Sequence, residues 1–131
     1  MKSREPLIRA KRFKIDDARR RLAQIDTMIA EFDRMAAELD RDIAAEEARS
    51  GITDHRHFAY PPIAAAARQR RDNLARSAGD LRVQRDEALD ALSDAEAQLQ
   101  LAEAAGERER LAEGEALERR LAWRQGEGAR I

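Results

Sequence analysis

From Ile15 the apolar residues recur at steps of three and four: Ile15, Ala18, Leu22, Ile25, Ile29, Phe32, Ala36, Leu39, Ile43. Nine consecutive a and d positions of a heptad are therefore apolar. A stripe this narrow packs against another helix rather than a broad core. Ile8 extends the phase upstream, with Lys11 as its first polar entry. The spacing predicts a first helix over about residues 4–49, roughly 70 Å long at the standard rise. From Ser50 to Pro62 the pattern stops, and a loop is expected over about residues 50–61. Gly51 suits a left-handed helix C-terminus, and Pro61 or Pro62 suits the first turn of a new helix. Phe58 and Tyr60 fall together here and are expected to plug the end of the seam.

The second half resumes the heptad with Ala67, Arg71, Leu74, Ala78, Leu81, Arg85, Ala88, Leu92, Ala95, Leu99 and Ala102. Arg71 and Arg85 interrupt the stripe, although an arginine stem can lie on apolar surface while its head reaches water. Gly79, Gly106 and Gly114 each weaken the helix by about 1 kcal/mol relative to alanine. The phase slips after Ala102, and Leu111, Leu117, Leu121 and Trp123 form a separate stripe. The second helix is expected over about residues 62–124, with a frayed tail at 125–131 marked by Gly126 and Gly128.

Two features favour pairing of these helices with each other over a parallel dimer. Folding at a loop centred near His55 sets Ala36 against Leu74, Phe32 against Ala78, Leu22 against Ala88, Ala18 against Leu92 and Ile15 against Ala95. Large meets small in each pair, as close packing requires; Ile29 against Leu81 is the exception. Charge gives the second feature. Residues 1–21 carry nine basic and three acidic side chains (+6), and residues 22–50 three and eight (−5). Residues 61–85 carry six and two (+4), residues 86–118 two and eleven (−9), and residues 119–131 four and one (+3). A hairpin lays +6 beside −9 and −5 beside +4, which selects orientation and register. The expected fold is all-α: one domain, a long antiparallel two-helix coiled-coil hairpin, with helix 2 overhanging the N-terminus by about twenty residues.

Composition agrees with this pattern. The chain has 131 residues, 39% of them charged and only 4% aromatic, with no Cys. So few rings cannot supply the buried area of a conventional α/β enzyme core. Without cysteine there is no disulfide, thiolate nucleophile or cysteine metal site, which fits a reducing compartment. The charged start is unlike a secretory leader, and the longest purely apolar stretch, Ile63 to Ala67, is far shorter than a membrane span. A net charge of −1 gives no general case for nucleic-acid binding.

Candidate chemistry is sparse. His55 and His57 with Asp54 fall short of a closed metal site. The carboxylates read as solvated faces, because tuning them for acid–base work needs burial that two helices do not supply. No phosphate loop, serine elbow or zinc-binding helix motif is present, so neither an enzyme nor a cofactor is expected. The basic N-terminus offers two readings: a face neutralised by the acidic block of helix 2, or a docking surface for an acidic partner or nucleic acid, although Phe13 as its one interleaved aromatic does not favour single-strand binding. Arg4, Arg9, Lys11, Arg12 and the interleaved Phe13 are the candidate partner-binding residues there. Met28 and Met35, seven residues apart beside the seam, either widen it or form an adaptable binding stripe. Leu7, Phe13, Val83 and Leu101 also lie outside the seam, and Trp123 lies on the overhang.

Several runs resemble the alphaproteobacterial branch of the flagellar export protein FliJ family. They are the opening Met1-Lys2-Ser3-Arg4-Glu5-Pro6-Leu7-Ile8-Arg9-Ala10-Lys11-Arg12-Phe13, the stretch from Met28 to Arg41, and the loop Gly51-Ile52-Thr53-Asp54 through His57-Phe58-Ala59-Tyr60-Pro61. Gln69-Arg70-Arg71-Asp72-Asn73-Leu74 completes the set. The likeness covers about residues 1–82. It implies a non-catalytic, cytoplasmic component of the flagellar type III export apparatus, built as an antiparallel two-helix coiled coil similar to the central stalk of rotary ATPases. Implied partners are the hexameric export ATPase, the cytoplasmic domain of the export gate and export chaperones. The membrane is reached only through those proteins, at its inner face by the flagellar base, and no nucleic acid is involved. By analogy the end carrying both termini enters the ATPase ring, and the basic N-terminus with Trp123 supplies the contact. The alternative is a generic coiled-coil scaffold or dimerisation protein unrelated to export.

Overall fold

The computed structural model describes residues 4–129, and side-chain burial for residues 4–127. Two helices, α1 (Arg4–Ser50) and α2 (Pro62–Ala129), account for all of the regular structure among them. The fold is all-α, with the two helices packed extensively against each other as an antiparallel hairpin. Every predicted seam position of α1 is buried or half-buried, and every other residue between Ile15 and Ile43 is exposed. On α2 all eleven predicted seam positions are likewise buried or half-buried. The helix α2 continues through residues 125–129, assigned to the tail by their glycines, because glycine lowers helix stability without barring helical geometry. Residues 130 and 131 of that tail lie outside the described residues.

The packing falls into two compact units. One takes in the described residues up to Ala18 and those from Ala91; the other is Arg19–Asp90. A two-helix seam has no common centre, since each layer touches only the layers before and after it.

In the 19–90 unit, Ile25, Ile43, Ala64, Ala67, Ala78 and Leu81 are buried. Gly51 ends α1 at φ 76°, a conformation that costs glycine little, and its N–H donates to the Glu47 carbonyl at 2.9 Å. Pro62 opens α2, where a missing N–H does no harm, and the Ala65 N–H donates to the Pro61 carbonyl at 3.0 Å. Between them the His57 N–H reaches the Asp54 carbonyl and the Tyr60 N–H reaches the His57 carbonyl, both at 3.0 Å. This turn separates the two loop aromatics. Tyr60 is 7% exposed and closes the seam as expected, its hydroxyl 3.2 Å from a Glu47 carboxylate oxygen. Phe58 is 97% exposed and plugs nothing; its ring stacks on His57 instead.

In the other unit, Ile15 and Ala102 are buried, and Ile8 and Gly106 meet closely. A Cβ built on Gly106 would lie 3.6 Å from Ile8 Cδ1, so the small residue lets a large one in. Arg4 pairs with Glu109 at 2.6 Å. Beyond Glu109, α2 is exposed from Arg110 to Glu127 apart from half-buried Ala116, which is the expected overhang.

Candidate partner-binding surfaces

The ion pairs between helices follow the charge blocks. In the 19–90 unit, Asp26, Asp33 and Asp40 of the acidic stretch of α1 meet Arg85, Arg82 and Arg71 of the basic stretch of α2. In the other unit the signs reverse: Arg4 and Arg12 of α1 meet Glu109 and Glu103 of α2. Arg71 and Arg85 therefore lay their stems in the seam and place their heads on α1 carboxylates. Asp40, with Asp72 beside it, holds the Arg71 guanidinium above its ordinary pKa. Burial, reinforced by Glu47, raises the Tyr60 phenol.

The basic N-terminus divides between the two readings. Arg4 is tied to Glu109, Lys11 donates to Gln98 at 3.4 Å, and Arg12 lies 3.6 Å from Glu103. These three take part in helix pairing. Arg9 makes no ion pair or hydrogen bond among the described residues, and it faces an open cleft of about 350 Å³. Glu5, Ile8, Arg12, Glu103 and Arg110 complete the lining. Phe13 is 66% exposed on the outer face of α1. The structure thus brings Arg9, Arg12 and Arg110 together around one cleft. Trp123 is 68% exposed but sits about 20 Å along α2 from Glu109, at the standard rise per residue. It forms no common surface with Arg4, which pairs with Glu109.

In the 19–90 unit, Met28 and Met35 are 44% and 40% exposed, along the edge of the seam opposite the aspartates. They neither close into the core nor leave it. Nearer the loop, an open groove of about 360 Å³ is lined by Leu39, Ile63, Ala66 and Ala67 together with Asp42 and Arg70.

Arg110, exposed Ile63 and exposed Phe58 are surface features that the seam pattern did not single out. One of them was legible: extending the α2 phase backward from Ala67 passes through Ala64, which leaves Ile63 out of phase and facing solvent. Phe58 was not, because it precedes α2 and its direction is set by the turn. Arg110 carried no such signal, because its place depends on register. Among the described residues there is no group of three or more His, Asp or Glu side chains able to hold a metal ion, and no helix is long and apolar enough to cross a membrane. No family model, no curated protein and no solved structure matches the chain.

Proposed function

We propose that this chain is a non-catalytic component of the flagellar type III export apparatus, a stalk or adaptor that binds the hexameric export ATPase and the cytoplasmic domain of the export gate. What supports the reading is the resemblance of several sequence runs to the FliJ family, above all the loop, which heptads alone would not reproduce. The two-helix hairpin is the architecture that resemblance implies. The exposed Arg9 beside the cleft and the overhang of α2 with Trp123 are the surfaces assigned to the ATPase. Met28 and Met35 are assigned to a partner along the side, either the gate or an export chaperone. The protein would work at the inner face of the membrane by the flagellar base, held there by its partners.

Its mechanism would be differential binding. A ligand shifts an ATPase between states only by as much as it prefers one of them. An adaptor with no reactive group can therefore change turnover by favouring one arrangement of the hexamer. The experiment is co-purification with the cognate export ATPase, together with measurement of its turnover, at near-physiological salt. Stimulation by the full chain is expected. Absence of both binding and stimulation would overturn the reading.

A further inference from the structure

The two edges of the seam in the 19–90 unit differ in charge. On one edge Asp26, Asp33 and Asp40 recur every seventh residue of α1, and each is paired with an arginine of α2. On the other edge the corresponding positions of α1 hold Met28 and Met35, both well exposed. The register set by the ion pairs places Gln84 of α2 across from Met28, and Ser77 across from Met35. All four side chains are exposed and none is charged. An antiparallel coiled coil ordinarily carries charge on both edges. Here one edge has none at this level.

Acidic side chains border this neutral strip on both sides. Glu31 and Glu38 follow Met28 and Met35 by three residues, and Asp80 and Glu87 follow Ser77 and Gln84 by three. Each lies one turn on, on the outer flank of its helix. All four are exposed, and none makes an ion pair or hydrogen bond among the described residues. The contrast with the opposite edge is chemical: there the carboxylates are neutralised within the chain, and here they are not.

We propose that the Met28–Met35 edge is a docking surface for a basic amphipathic helix of a partner protein. The apolar stripe of that helix lies on the two methionines, and its flanking lysines and arginines face Glu31, Glu38, Asp80 and Glu87. Methionine suits such a floor because its flexible, polarisable side chain adapts to different apolar surfaces. A second copy of this chain does not fit. A two-fold axis between Met28 and Met35 would set Glu31 against its own counterpart and Asp80 against its own. The inference does not depend on the export reading, since it rests on the edge alone.

The test uses the full chain and two labelled synthetic helical peptides of about eighteen residues, five turns at the standard pitch. One carries a leucine stripe flanked by lysine, and the other the same stripe flanked by glutamate. At near-physiological salt the lysine peptide is expected to bind one per chain, and the glutamate peptide not to bind. M28S/M35S should weaken binding about tenfold through loss of the apolar floor. E31Q/E38Q/D80N/E87Q should weaken it at least as much. E115Q/E118Q, which neutralises carboxylates elsewhere on α2, should leave it unchanged. Three results would overturn the proposal: binding indifferent to M28S/M35S, equal weakening by the E115Q/E118Q control, or equal binding of both peptides. Light scattering that shows a dimer abolished by M28S/M35S would also overturn it, by giving the edge to a second copy.

Discussion

Arg71 occupies a seam position of α2, yet its guanidinium Nη1 lies 3.0 Å from the Asp40 carboxylate of α1, with the side chain only 24% exposed. The stem covers apolar surface and the head satisfies a carboxylate, so one residue does the work of a leucine and of a flanking charge. The pair remains partly hydrated. A double-mutant cycle with R71A and D40A should return a coupling of no more than about 1 kcal/mol. R71A alone should cost more than D40A, because it also strips cover from the seam. Thermal unfolding of the four proteins checks both statements, and equal single-mutant losses would refute the role of the stem.

Glycine positions should respond in opposite directions. Gly106→Ala places its Cβ 3.6 Å from Ile8 Cδ1, an ordinary contact, and removes a helix-interior glycine. It should raise stability by about 0.5–1 kcal/mol. Gly51→Ala forces a Cβ onto a φ of +76° and should lower stability by about 1 kcal/mol. Melting curves that move the same way for both would contradict the backbone assignment at one of them.

Tyr60 makes part of the fold's stability depend on alkaline pH. Its folded-state pKa is raised above the ordinary 10.0 by burial first and by Glu47 second. The unfolded chain therefore releases the phenolic proton at a lower pH than the folded chain. The stabilisation is complete below about pH 10 and is lost as pH rises from there through the folded value. Tyr60 is the sole tyrosine, so tyrosinate absorbance reports this one site. Y60F should be less stable at neutral pH, having lost the Glu47 hydrogen bond, and should lack the phenol's part of the alkaline decline.

Its loop neighbour should behave differently. Phe58 stacks on the exposed ring of His57 and is 97% exposed, so F58S should leave unfolding within about 0.5 kcal/mol of wild type. A large loss would mean that the Phe58 ring packs in solution.

Within the basic N-terminus, R9E and R12E should separate docking from helix pairing. Arg9 has no partner among the described residues, whereas Arg12 faces Glu103. If the chain stimulates an export ATPase as proposed, R9E should reduce that stimulation with helicity and melting unchanged, while R12E should lower the melting temperature slightly as well. Circular dichroism alongside the turnover assay distinguishes the two, and an R9E protein of full activity would remove Arg9 from the contact.

The sequence by itself determined the two helices, their seam and their orientation. Heptad spacing leaves one face for α1 from Ile15 to Ile43, and blocks of opposite charge are complementary in only one direction of folding. Such features are local or additive, and a linear pattern carries them. What the tertiary structure decided depends on register and turn geometry. The loop hydrogen bonds chose Tyr60 over Phe58 to close the seam. The pairing of Arg4 with Glu109 fixed where the overhang begins and how far Trp123 lies from the basic cleft. The arginines of α2 neutralised Asp26, Asp33 and Asp40 but left Glu31, Glu38, Asp80 and Glu87, which flank the Met28–Met35 edge, without a partner among the described residues. Which of two flanking columns finds a partner is a property of both helices together, because heptad spacing within α1 alone treats its two edges alike.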